Sequence, residues 1–285
     1  MRRAVLVLAL LSACARRGPK VADAPFAARL LAIAHDLGPT TPDATNDLER
    51  LAAHVHAAIE RRGAVAEVDA INRFVFDDEG FAREVDDADL SYVLLPSVLS
   101  THRGSCVGLG TLYLALGDLL HIPMQGEVVP GHFFVRVREG ERWRSVELLR
   151  RGEEEPPDWY AARWPVPATS SPVYNRPLSQ DEVIGIVEYD AGNDLRRRAR
   201  LPEARRAFER AAALFPSLPE AQASLGATLQ LVGALEPAVS AYQEAARLEP
   251  GLPGLAENIR LLDEERRSGK NAPRAKARPS PATDP

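Results

Sequence analysis

Phe26, Leu30, Leu31, Ile33 and Ala34 recur at helical spacing and predict a helix over 26–37. Gly38-Pro39-Thr40-Thr41-Pro42 breaks it. Leu48, Leu51, Val55 and Ile59 share one face of a second predicted helix over 43–62, which Gly63 ends. A third helix is predicted over 65–76. The acidic run Asp86-Asp87-Ala88-Asp89 leads into an apolar stretch ending at Pro96, and 97–104 reads as a turn-rich loop. Leu109, Leu112, Tyr113, Leu116 and Leu119 then predict a strongly apolar helix over 106–119, stopped by Ile122-Pro123. Beyond it the pattern becomes strand-like. Segments 125–129, 132–138 and 142–148 read as adjacent strands joined by Pro130-Gly131 and Glu139-Gly140. Helices first, then a small antiparallel sheet with the 106 helix packed on it, is an α+β domain.

The stretch 150–177 has another character. It holds Glu153-Glu154-Glu155, which reads as solvated, several prolines, and the aromatics Trp159, Tyr160 and Trp164. The prolines predict irregular structure, and the aromatics predict that it lies against something. From about Gly185 the chain repeats itself. Gly192 recurs as Gly226, Ala204 as Ala238, Phe208 as Tyr242, Ala211 as Ala245 and Pro216 as Pro250, each pair 34 residues apart. That period and those residue types resemble the tetratricopeptide repeat, two antiparallel helices per unit. Glu188 and Leu195, then Gln222 and Leu229, replace its usual first-helix Trp and Tyr. Only two units fit, with 252–267 as a capping helix, so the array is expected to dock on the preceding domain. The stretch 268–285, rich in Pro, Ala, Lys and Arg, reads as a disordered tail.

Composition narrows the function classes. The 285 residues are 45% hydrophobic and 26% charged, with a formal net charge of -5 and 6% aromatics. This excludes nucleic acid as the main partner. Metal and phosphate motifs are missing: there is no HExxH and no CxxC, and Gly104, Gly108 and Gly110 surround a helix start without the lysine of a phosphate loop. His54 and His56, two apart on a helix, do not face each other and read as surface residues. No cofactor or metal is expected.

The cysteines are Cys14 and Cys106. Arg2-Arg3 followed by the apolar run Ala4 to Leu11 is too short to span a bilayer. It ends in Leu11-Ser12-Ala13-Cys14, which resembles the lipobox of bacterial lipoprotein precursors; the alternative is an ordinary signal peptide cut nearby. On the lipobox reading Cys14 is the lipidated first residue of the mature chain. Ala15 after it fits an outer-membrane destination facing the periplasm, and Cys106 is then not paired with Cys14.

Cys106 stands where a helix begins, and there the dipole and the first N–H groups favour the thiolate and can hold an oxyanion. His132 opens a strand, and Glu147 stands near the end of the strand expected to pair with it. Nucleophile, base and orienting acid in that order suit acyl transfer. Taken singly, each has a plain alternative: a core cysteine, a structural histidine, a solvated glutamate. Gln125 and Tyr113 either line the site or pack; His102 and His121 are expected outside it.

Arg103-Gly104-Ser105-Cys106-Val107-Gly108-Leu109, Leu112-Tyr113-Leu114-Ala115, Ile122-Pro123-Met124-Gln125-Gly126 and Pro130-Gly131-His132-Phe133-Phe134-Val135-Arg136 together resemble the transglutaminase-like superfamily. The branch most similar is the one typified by the SirB1 N-terminal domain, often joined to tetratricopeptide repeats. Asn72-Arg73-Phe74-Val75-Phe76 and Gly80-Phe81 fit its upstream pattern. The resemblance implies a papain-like Cys-His-Asp arrangement carried by Cys106, His132 and Glu147, with Glu in place of the commoner Asp. Many members of that branch lack the cysteine.

The expected organisation is a lipoprotein signal peptide over 1–14, a tether over 15–25, and a transglutaminase-like domain over 26–152. A Pro-rich connector over 153–180, repeats with a capping helix over 181–267, and a tail over 268–285 follow. The expected function is that of an envelope lipoprotein with a cysteine acyl-transfer or peptidase-like centre acting on a protein or peptide. The alternative is a non-catalytic, lipid-anchored scaffold that binds a protein partner through the repeats.

Overall fold

The computed structural model describes residues 20–37, 41, 43–62, 67–84, 89–166 and 173–268. Cys14 with the rest of the expected signal peptide, and 269–285 of the expected tail, lie outside the described residues. No helix among the described residues is long and apolar enough to cross a membrane.

One helix organises the N-terminal part. Helix α5 (Cys106–Leu120) buries every residue but Asp118 and Leu120, so it is apolar all round and must be covered on all sides. Helices α1 (Pro25–Leu37), α2 (Ala44–Arg62) and α4 (Leu95–Thr101) pack on it, and the sheet takes another side. Asp118 of α5 accepts hydrogen bonds from the Phe26 and Ala27 amides at 3.1 Å, capping the start of α1 from a neighbouring helix. His121 ends α5 in the left-handed conformation (φ 57°), where the helix C-terminus needs a turn.

The main sheet is an antiparallel meander of β3 (Met124–Val129), β4 (His132–Glu139), β5 (Arg142–Glu147) and β6 (Glu153–Glu154). A separate two-residue parallel pair, β1 (Ala82–Arg83) with β2 (Arg103–Gly104), ties down the chain just before α5. Strand alternation divides β4 between two environments. Phe133, Val135 and Val137 enter the main core with α5, whereas Phe134 joins Val129 and Tyr160 in a separate small cluster. Gly110 and Gly126 leave room for the Phe133 ring; a Cβ on Gly110 would stand 2.4 Å from it.

Two expectations are corrected. Residues 97–104, expected as loop, carry most of α4. Pro96 sits at the start of that helix, where its missing N–H costs nothing, and Leu95, Val98 and Leu99 are buried. The connector, expected to be irregular, supplies β6 and α6 (Pro157–Arg163), again with proline in the first turn. Its aromatics do lie against the domain. Glu155 is buried and ion-paired with Arg150, so the acidic run is not wholly solvated. The third helix also differs in detail: α3 (Glu67–Asn72) continues into a π-helical turn over Arg73–Asp78.

The C-terminal part is helical throughout: α7 (Gln180–Arg197), α8 (Leu201–Leu214), α9 (Pro219–Leu231), α10 (Leu235–Leu248) and α11 (Leu255–Ser268). α7 packs closely with α8, and α9 with α10. A Cβ on Gly192 would lie 2.6 Å from the Phe208 ring, and one on Gly226 would lie 2.7 Å from the Tyr242 ring. The 34-residue spacing therefore repeats a packing contact as well as a residue type. A capping box between Ser179 and Glu182 starts α7. The main core runs without interruption from Val21 through the sheet into α7, α8 and Ala221 of α9.

Candidate active site

The approach to Cys106 is built from short-range hydrogen bonds. Asp89 accepts from the Ser91 amide at 2.9 Å and the Ser91 hydroxyl at 2.6 Å, fixing a 3-10 turn over Leu90–Tyr92. These bonds from Ser91 hold the Asp89 carboxyl below its ordinary pKa. The Tyr92 carbonyl then accepts from the Ser105 amide at 2.8 Å. Ser105 caps α5 by accepting from the Gly108 amide at 3.2 Å. A Cβ on Gly108 would stand 2.0 Å from the Tyr92 oxygen, so only glycine admits this approach. Cys106 follows as the first residue of α5, 8% exposed, at the positive end of the helix dipole.

Pro130 and Gly131 (φ 78°) turn β3 back into β4, and His132 is the first residue of the returning strand. His132 Nε2 lies 2.8 Å from Glu147 Oε2, with both side chains almost fully buried. The other oxygen, Glu147 Oε1, accepts from the Leu149 amide at 2.9 Å, which fixes the carboxylate in one orientation. A carboxylate only accepts, so Nε2 carries the proton and Nδ1 is left as the basic nitrogen.

The sequence of α5–sheet contacts orders the two elements. Gly110 meets Phe133, and Gly117 meets Met124, whose partner across the sheet is Val137. α5 therefore runs along β4 from its start towards its end, and Cys106, one turn before Gly110, lies at the His132 end of the sheet. Of the three residues singled out in the sequence, the structure places His132 and Glu147 in direct contact and Cys106 at the helix start on the same end of the sheet.

Two residues not assigned to the site from the sequence stand over it. The Trp164 ring stacks on His132 at 4.1 Å between centroids and 7° between planes, and Tyr160 stacks on Phe134 at 3.8 Å. The Tyr160 hydroxyl is buried with no hydrogen-bond partner among the described residues. Burial first, then the Glu147 and Glu155 carboxylates, push its pKa far above the ordinary phenol value, so it stays a donor. Asn72 braces the frame: it accepts from the Tyr113 hydroxyl at 2.7 Å and donates to the Gly152 carbonyl at 2.8 Å. The Gly152 amide in turn donates to the Glu147 carbonyl at 2.9 Å. Tyr113 thus packs and does not line the site.

Other candidates fall elsewhere. Gln125 and His121 line a 290 Å³ cavity with Phe26, Asp118 and Gln180, at the opposite end of α5 from Cys106. His102 Nδ1 lies 2.7 Å from the Glu79 carbonyl, and its ring stacks on Phe81. Among the described residues no group of three or more His, Cys, Asp or Glu side chains is arranged to hold a metal ion.

The family model of the transglutaminase-like superfamily matches residues 42–187, from before α2 into α7. The chain belongs to the transglutaminase-like superfamily. Proteins of that superfamily are often cysteine-nucleophile enzymes. The matched region takes in Cys106, His132 and Glu147, and also α6 with Tyr160 and Trp164. No curated protein matches the chain.

Proposed function

We propose that this transglutaminase-like domain is a cysteine acyl-transfer centre of the SirB1-type branch. Cys106 Sγ attacks an amide or ester carbonyl. His132 Nδ1 takes the thiol proton and returns it to the leaving group, and Glu147 holds the imidazole in the required tautomer. The tetrahedral oxyanion sits against the N–H groups at the start of α5. Water or an amine then releases the acyl group. The observation that carries this reading is the buried His132–Glu147 pair, with both carboxylate oxygens engaged and Nδ1 left over.

The helices from α7 onward are read as two tetratricopeptide repeats with α11 as cap, a reading supported by glycines packed beneath Phe208 and Tyr242 at the same 34-residue interval. They are assigned the binding of a protein or peptide partner. The Leu11-Ser12-Ala13-Cys14 stretch assigns lipidation to Cys14 and an outer-membrane location facing the periplasm. A binding-only role is favoured by one observation, the burial of His132 beneath Trp164.

Incubation with p-nitrophenyl acetate separates the two. The catalytic reading expects a burst of p-nitrophenol and one acetyl group on Cys106 by peptide mass spectrometry, both lost in Cys106→Ala and slowed in His132→Ala. Acetylation spread over surface lysines, or equal in His132→Ala, contradicts it.

A further inference from the structure

The buried pair has a roof whose chemistry the reading above leaves unused. Trp164 ends α6 and lies flat on the His132 ring, parallel to within 7° and at 4.1 Å. The ring also packs edge-on with Trp159 at 5.5 Å and beside Tyr160, but an aliphatic side chain could exclude water there as well. An indole face does more, because its negative quadrupole attracts a cation lying on it. The imidazolium is that cation, and the neutral imidazole gains much less.

We propose that Trp164 is a positioning residue that favours the imidazolium form of His132, and with it the Cys106 thiolate. The inference rests on the acyl-transfer reading. Thiol and imidazole share one proton; the indole stabilises the state in which that proton sits on His132 Nδ1 and the sulfur is ionised. The groups around His132 set the sign. Glu147 from β5 acts in the same direction as the indole. Tyr160 from α6 keeps its proton and adds no charge. Behind Tyr160 lie Glu155, paired with Arg150, and Glu127 of β3, paired with Arg136. Arg163 places its guanidinium 5.5 Å from both the Trp159 and the Trp164 rings. That cation competes for the indole electrons, so the stack's effect on His132 is moderate.

The test is the pH profile of iodoacetamide alkylation at Cys106 in the full chain. The variants are Trp164→Leu, which keeps bulk without a π face, Trp164→Phe, which keeps a face, and His132→Ala. The expected loss in Trp164→Leu is about three- to tenfold between pH 6 and 7, the range of one cation–π contact. Above the ordinary thiol pKa the rates converge, since the thiolate forms unaided. Trp164→Phe restores most of the neutral rate. A Trp164 that only packs predicts no change, or a parallel shift at every pH, and either result overturns the inference. If His132→Ala slows alkylation and Trp164→Leu does not, the inference alone fails. If His132→Ala matches wild type, the acyl-transfer reading fails and the inference with it. Should Trp164→Leu not fold, proton NMR of the wild-type chain decides. The His132 ring protons, assigned by their loss in His132→Ala, are expected upfield from the indole ring current; ordinary shifts overturn the stack.

Discussion

Gly108→Ala adds one methyl group at the point where the approach to the site is tightest. The new Cβ would stand 2.0 Å from the Tyr92 carbonyl oxygen and 2.9 Å from Val98 Cγ2. The Val98 methyl has little room, because Val98 is fully buried in the core. The carbonyl cannot retract without giving up the Ser105 amide it holds at 2.8 Å. Overpacking of a filled core costs about 1–3 kcal/mol. A lost hydrogen bond adds about 0.5–1.5 kcal/mol. Alanine's better helix propensity offsets about 1 kcal/mol. The net destabilisation is then about 0.5–3.5 kcal/mol, or about 1–14 °C in Tm for a unit of this size. Thermal unfolding followed by circular dichroism reads it. A Tm equal to or above wild type, the usual result for glycine to alanine in an uncrowded helix, refutes the reasoning. Because the same carbonyl positions Ser105, the cap of α5, the variant also slows alkylation of Cys106.

Further predictions follow from the same contacts. Glu147→Gln keeps shape but not charge; it costs about 1–3 kcal/mol in urea unfolding and slows acetylation at neutral pH about a hundredfold, and an unchanged rate would remove Glu147 from the mechanism. Asp89→Asn removes a carboxylate whose pKa is depressed in the fold, so the wild-type advantage is present above the unfolded carboxyl value and lost as pH falls through the folded one. Asparagine caps almost as well as aspartate, so the difference in stability should be only about 0.5 kcal/mol at pH 7 and vanish in acid; a difference independent of pH contradicts the assignment. Phe208→Ala empties a site that is fully buried against Gly192 and costs about 3–5 kcal/mol. All three tryptophans lie in the transglutaminase-like region, and the core is continuous into α8. Tryptophan fluorescence and far-ultraviolet circular dichroism should therefore shift together in this variant, and separate transitions would mean that the helical part unfolds alone.

Much of this architecture is readable from local pattern. The strands over Met124–Val129, His132–Glu139 and Arg142–Glu147 fall on strand-like runs joined by two-residue turns, so composition and punctuation agree. α5 is apolar enough that only a central position fits it. Proline is where local pattern misleads. Pro96 and Pro157 read as breaks, yet each stands in the first turn of a helix, where proline is well suited and sequence alone gives the wrong sign. The acidic run is exposed at Glu153 and Glu154 as its composition suggests, and departs only at Glu155, which is buried and paired with the half-exposed Arg150. At the site, Glu147 could be proposed from strand order. Trp164 could not: its stack on His132 depends on which face of β4 the connector covers, and no local pattern encodes that choice. The aromatic content of 159–164 was the available signal, and it pointed to contact without naming the partner. Asn72 is similar, since its role appears only when Tyr113 and Gly152 are brought to it.

Ultraviolet titration of the Cys106 thiolate, taken as the difference between the wild-type chain and Cys106→Ala, bears most directly on the proposed pairing of sulfur with imidazole. The account predicts a thiolate midpoint below about 7.5 that moves up towards about 8.5 in His132→Ala. A midpoint at or above the ordinary thiol value in both proteins would contradict it.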